Sequence, residues 1–263
     1  MNIPKPIKPL ARAVLRTIPA LERRILPSAG YRRIDAAEFK RLQSVDSGWK
    51  ASRSANWQLR AYEALVADAE AGTARDDLRI AAEAVDGAGL ERPSLLEVGC
   101  GGGYHGRIFE LLSECEPRYM GTDFSPSMIE TARARFPDVH FQVADTTALP
   151  FEDARFDIVF DGVSLMHIPE SGKAIAEMVR VSASHVILHC VPIFDNHPTE
   201  HLFKYAYGEP VTETVHNRGA FERMLRDAGL VIERSWNALA YDVHAVTGAH
   251  SHSRTYLCRK TAA

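Results

Sequence analysis

The run Leu95-Leu96-Glu97-Val98-Gly99-Cys100-Gly101-Gly102-Gly103 decides how this chain is read. An apolar stretch of strand character ends in an acid. Glycines then fall at alternate positions, 99, 101 and 103, and residues 104–112 take up helical spacing. Backbone without side chains at a strand-to-helix turn lets a ligand approach closely. The helix that follows offers unpaired N–H groups and a partial positive charge at its start. Together these features predict a cofactor site at the carboxyl edge of a sheet.

The bulk numbers are consistent with that. The chain has 263 residues, 46% of them apolar, enough for one large α/β domain with a full core. Its formal net charge of −3 argues against a protein built to coat nucleic acid. Cys100, Cys115, Cys190 and Cys258 lie far apart and form no C-x-x-C pair, so a reducing, cytoplasmic setting is expected. No apolar run reaches membrane-spanning length, and the basic start lacks the apolar core of a secretory signal.

Residues 1–90 read as a helical N-terminal extension or lid, and 91–263 as the main domain. Residues 1–33 carry eight Lys or Arg against Glu22, with apolar residues at Ile7, Leu10, Val14, Ile18, Leu21 and Ile25. Those steps of three and four fit one helical face, interrupted by Pro19 and Pro27. The segment is expected to lie on the main domain or form a tail. A second reading docks residues 7–26 peripherally on an anionic membrane surface. Trp49, Trp57 and Tyr62 are packing residues or part of a lid over the pocket.

From residue 94 onward, strands near 94–99, 118–123, 139–144, 156–161, 184–191, 230–236 and 253–259 alternate with helices near 104–114, 126–135, 171–181 and 218–228. Alternation of this kind predicts an α/β, doubly wound, mostly parallel sheet. Residues 192–217, rich in His, Tyr and Pro, read as a long functional loop.

Acids at the strand ends narrow the ligand. Asp123 closes the second strand, where a carboxylate can accept from both ribose hydroxyls of an adenosine ligand. Asp145 follows the third, where it can face an adenine amino group. A dinucleotide oxidoreductase fits less well, because no tyrosine–lysine pair or comparable motif follows the fourth strand.

The four motifs E-V-G-C-G-G-G (97–103), G-T-D-F-S-P-S-M-I (121–129), V-A-D-T-T-A-L-P-F (143–151) and F-D-I-V-F-D-G-V-S-L-M-H-I (156–168) resemble those of class I S-adenosylmethionine-dependent methyltransferases of the broad small-molecule group. The resemblance covers residues 94–190 well, 191–263 weakly and 1–90 not at all. It implies a Rossmann-like, seven-stranded sheet whose last strand enters antiparallel, with S-adenosyl-L-methionine as cofactor. Glu97 would hold the methionine amino end, directly or through water, with Gly99, Gly101 and Gly103 as backbone platform. Asp123 would take the ribose, Phe124 would lie against the adenine, and Asp145 with the Thr146 N–H would face the adenine edge. Asp161 and the turn after it would border the methionine end. Phe141 reads as core, and Asp157 as a structural residue at a strand start.

Methyl transfer to a hydroxyl or acidic carbon needs a base, and His167, after the fourth strand, is the candidate. Phe194, His197, His201, Tyr205 and Tyr207 of the long loop are expected to line an acceptor pocket. His197 and His201 are four apart and could share a helical face, but no third ligand is evident and no metal is expected. The expected acceptor is a small molecule, or a lipid-linked or glycan-linked group, methylated on oxygen. A nucleic acid is not expected, since no Asn/Asp-Pro-Pro-aromatic run follows the fourth strand. The alternative reading is a non-catalytic cofactor-binding protein with a regulatory or scaffold role.

Overall fold

A computed structural model describes residues 30–45, 62–206 and 209–261. The 7–26 segment, Trp49, Trp57 and Tyr207 lie outside these described residues.

The chain runs β1 (Arg32–Ile34), α1 (Ala36–Val45), α2 (helical over 62–70), α3 (Asp76–Asp86), β2 (Ser94–Val98), α4 (Tyr104–Leu112), β3 (Arg118–Asp123), α5 (Pro126–Arg135), β4 (His140–Val143) and β5 (Phe156–Gly162). A 3-10 turn (Leu165–His167) leads to α6 (Ser171–Val181), β6 (Ser182–Phe194), β7 (Glu200–Ala206), β8 (Glu209–Asn217), α7 (Arg218–Asp227), β9 (Leu230–Asn237), α8 (His244–Thr247) and β10 (His252–Lys260). Strands β4, β3, β2, β5 and β6 pair in parallel in that order. The last strand, β10, enters antiparallel between β6 and β9.

Burial of both sheet faces explains the apolar runs. Successive residues of a strand point to opposite faces. Leu96, Val159, Val186 and Leu188 pack under α6 and α7, against Ile175, Met178, Phe221 and Leu225. Their sequence neighbours Leu95, Ile158 and Ile187 pack under α3 and α4, against Ala81, Val85 and Phe109. A parallel sheet covered on both sides needs both registers apolar. Asp157, at the start of β5, accepts from the Ser94 backbone N–H and hydroxyl, each at 2.7 Å, as a structural residue there should.

Three expectations are corrected. The sheet has ten strands among the described residues, not seven, because β1, β7 and β8 extend it beyond β6. Residues 192–217 are not a loop: β6 runs on to Phe194, and β7 and β8 form an antiparallel pair with Glu200 opposite Val215 and Ala206 opposite Glu209. The polar residues there disguise the strand. Thr212, Glu213, Thr214 and His216 of β8 are all buried. Glu213 is satisfied by Lys204 Nζ at 2.5 Å and by the hydroxyls of Tyr31 and Tyr241, each at 2.7 Å. The N-terminal extension is also not purely helical, since β1 pairs with β7.

Candidate functional site

At the carboxyl edge of the parallel strands lies a cavity of about 490 Å3. Its floor is the turn after β2. Gly99 has φ +66°, and a Cβ there would stand 2.1 Å from the Ser164 Cβ. Gly103, the N-cap of α4, has φ +77°, and its Cβ would stand 2.6 Å from ring carbons of Phe141. Both positions therefore demand glycine for conformation and for space. Phe141 itself is buried, as core packing requires.

The turn is fastened to β3. The Gly101 N–H donates to Asp123 Oδ2 at 2.9 Å, and the Ser125 N–H donates to Asp123 Oδ1 at 2.8 Å. Asp123 is only 7% exposed, yet it lines the cavity. Burial pushes its carboxyl up to about 6, against the opposing pull of those two N–H groups. It is therefore mostly ionised near neutral pH. Beside it stand Phe124, 36% exposed, and Met128 at the start of α5. Asp145, Thr146 and Thr147, after β4, form the next wall. Asp145 Oδ1 accepts from the Thr147 N–H and hydroxyl, each at 2.8 Å.

Gly99, Gly101, Asp123, Phe124, Asp145, Thr146 and His167 all line the same cavity. Glu97, Gly103 and Asp161 do not line it. The Glu97 carboxylate is fully buried, accepts from His105 Nδ1 at 2.7 Å and binds the Tyr119 hydroxyl. It occupies the space behind Gly162, where a Cβ would come within 2.0 Å of Glu97 Oε1. Asp161 is buried and turned into the following bend, where it accepts from the Ser164 hydroxyl and from the Ser164 and Leu165 N–H groups. Burial pushes its carboxyl up to about 7. The turn it braces, Gly162 to Ser164, does line the cavity.

His167 sits at the other end. Its Nδ1 lies 2.8 Å from the Thr212 carbonyl oxygen. A carbonyl only accepts, so Nδ1 carries the proton and the neutral ring has its lone pair on Nε2. Burial lowers the His167 pKa, although Glu213 pulls the other way. The ring is thus neutral at physiological pH.

The structure corrects the expected acceptor lining. Phe194, His197, His201 and Tyr205 are not among the cavity residues. Phe194 and Tyr205 are core residues, His197 Nε2 meets Glu200 at 3.0 Å, and His201 Nδ1 meets Thr214 at 3.0 Å on a strand rather than a helix. The cavity instead recruits Tyr62, Ile168, Pro169 and the pair Lys40–Glu170, 3.5 Å apart. Tyr62 stands out in the sequence as an aromatic in a helical stretch, and it stacks on Tyr104 with centroids 4.1 Å apart. Ile168 closes the fourth motif, whereas nothing in the sequence pointed to Lys40, Pro169 or Glu170.

Residues 96–190 match a family described as a methyltransferase domain. A demethylmenaquinone methyltransferase from Renibacterium salmoninarum is 39% identical over 87 residues, 33% of this chain and 36% of that protein. A malonyl-[acyl-carrier protein] O-methyltransferase from Serratia marcescens is 32% identical over 117 residues, 44% of this chain and 43% of that one. The chain thus spans less than half the length of these curated relatives. Among solved structures, the Burkholderia thailandensis 1,6-didemethyltoxoflavin-N1-methyltransferase, with bound 1,6-didemethyltoxoflavin and S-adenosylhomocysteine, aligns with TM-score 0.53 and 18% identity. That alignment covers 79% of this chain and 90% of the other, and it establishes the shared fold.

Two of the four glycines in the turn make a sharp contrast. Gly99→Ala should cost more than about 2 kcal/mol in urea unfolding, from left-handed backbone strain plus the clash with Ser164. Gly102→Ala, whose Cβ would meet only Tyr62 Cδ2 at 3.9 Å, should stay within about 0.5 kcal/mol of the parent. Equal stability of the two variants would contradict this geometry.

Proposed function

We propose that this chain, which carries a class I S-adenosylmethionine-dependent methyltransferase domain, transfers a methyl group to a small, lipid-linked or glycan-linked acceptor, on oxygen. The observation that carries the reading is that one cavity joins the glycine turn and two strand-end acids to a neutral histidine. The alternative, a cofactor-binding protein without turnover, would be favoured by a histidine sealed away from that cavity.

The residues present suit the nucleoside. Each Asp123 oxygen already accepts one backbone N–H, which fixes the carboxylate and leaves each oxygen a second lone pair for a ribose hydroxyl. Phe124 offers an apolar ring for adenine, and Asp145 with the Thr146 N–H would meet the adenine edge. Gly99 and Gly101 would pass beneath the methionine part. Glu97 supports Gly162 from behind, and Gly103 sets the start of α4. In this reading both act through the shape of the floor, and Asp161 does so through the 162–164 bend.

When bound, the sulfonium supplies an already activated methyl carbon. The chain's task is to align the acceptor and remove its proton. Thr212 holds the His167 ring through Nδ1, so Nε2 is the basic atom. Tyr62, Ile168 and Pro169 would give the acceptor apolar walls. A methyl acceptor on oxygen is consistent with the Serratia relative, named an O-methyltransferase, while the Renibacterium relative acts on demethylmenaquinone by its name.

Asp123→Ala should weaken S-adenosylmethionine binding by about 1–3 kcal/mol in calorimetry, the value of charge-assisted hydrogen bonds. Unchanged affinity would remove Asp123 from the ribose. For His167→Ala, cofactor affinity should persist while turnover, followed as S-adenosylhomocysteine release with an acceptor found by mass-spectrometric screening, drops roughly 10²-fold. Because a base must be unprotonated and burial lowers this histidine, the parent's acid limb should have its midpoint below the ordinary histidine value of about 6.5. Full activity of the variant, or a limb above that value, would exclude His167 as the base.

A further inference from the structure

Beneath the cavity floor, a second cluster takes no part in the chemistry above. Asp77 from α3 and His189 and Cys190 from β6 are all buried, and one ligand atom from each lies within 4.8 Å of the others. On a regular strand, neighbours such as 189 and 190 point to opposite faces. Here they do not. The pairing of β6 with β10 slips between Arg254 and Tyr256, so both residues oppose Thr255 alone. Cys190 adopts φ +55° at this bulge. The result is that Cys190 Sγ stands 3.3 Å from His189 Nε2. A tetrahedral zinc with bonds of about 2.0–2.3 Å has ligand–ligand edges of roughly 3.5 Å.

The surroundings are those of a ligand set. His189 Nδ1 meets Thr255 Oγ1 at 2.9 Å, which orients the ring and leaves Nε2 as the inward atom. Arg75 clamps Asp77 through Nε at 2.5 Å and Nη2 at 2.7 Å, and each carboxylate oxygen keeps a second lone pair. Next to His189, with centroids 5.8 Å apart and rings edge-on, lies the fully buried His105. Its Nε2 has no hydrogen-bond partner among the described residues. An unpartnered buried polar atom beside an O, N, S donor set is the feature that asks for an ion.

We propose that Asp77, His189 and Cys190 bind one zinc ion beneath the cavity as its three protein ligands. Binding replaces the Cys190 thiol proton by the metal and releases that proton to solvent, with no change of oxidation state. His189 pairs with Gly162 across β5 and β6, so the ion would stiffen the strand under the 162–164 bend. This inference does not depend on the proposed methyl transfer.

The test is a cobalt titration of the reduced, metal-stripped full chain. A near-ultraviolet thiolate-to-cobalt charge-transfer band should saturate at about one equivalent and vanish on zinc addition. Zinc in excess should raise the melting temperature by several degrees. Cys115→Ala should keep the band and Cys190→Ala should lose it. The exposed pair His244 and His250 could take cobalt without a thiolate and so would give no such band. Absence of the band and of any melting shift in the parent chain overturns the proposal, whether or not Cys190→Ala folds. Persistence of the band in folded Cys190→Ala overturns it as well.

Discussion

One hydrogen bond, from the Gly101 N–H to the Asp123 carboxylate at 2.9 Å, ties the turn after β2 to the end of β3. The cavity's shape follows from it. The same carboxylate accepts from Ser125 and so aims the start of α5, with Met128, along the cavity wall. A charge-assisted bond in a buried setting is stronger than one in water, and losing either partner leaves an uncompensated group. The cost is visible in Asp123 itself, whose carboxyl is raised to about 6 by burial. An acid held this way is poised to accept further donors from a ligand.

A polar skeleton under the floor supports this contact. Glu97 bridges His105 on α4 and Tyr119 on β3, and Asp161 gathers the 164–165 backbone. Neither acid faces the cavity, yet each fixes a piece of backbone that does. Buried charges with all partners in place rigidify a site, and partly satisfied ones destabilise it. Further along, Thr212 fixes the His167 ring, and its strand neighbour Glu213 is locked by Lys204, Tyr31 and Tyr241. The strands added beyond β6 therefore serve the histidine end of the cavity from behind, without lining it.

Much of this was legible in the residues. The doubly covered sheet showed in runs such as Val186-Ile187-Leu188, and helices α5 and α6 fell where periodicity put them. Asp123, Asp145 and His167 could be named because strand ends in such sheets converge on one edge, Phe124 and Thr146 came from the resemblance of the motifs, and all five line the cavity. Glu97 does not line the cavity, because the buried His105 on α4 and Tyr119 on β3 hold its carboxylate, and sequence gives a residue's position but not its rotamer. Strand β8 was hidden because Thr212, Glu213, Thr214 and His216 are buried polar residues between Val211 and Phe221, which erases the apolar alternation that marks a strand, although its partner β7 buries Leu202, Phe203 and Tyr205. The recruitment of Tyr62 and Lys40 depends on chain segments far apart in sequence, which no local pattern encodes.

The most direct test of the account is a crystal structure with S-adenosylhomocysteine bound. The account predicts both ribose hydroxyls on the Asp123 carboxylate, adenine against Phe124 and the sulfur turned toward His167. A nucleoside seated elsewhere, or in this cavity with its ribose away from Asp123, would contradict it.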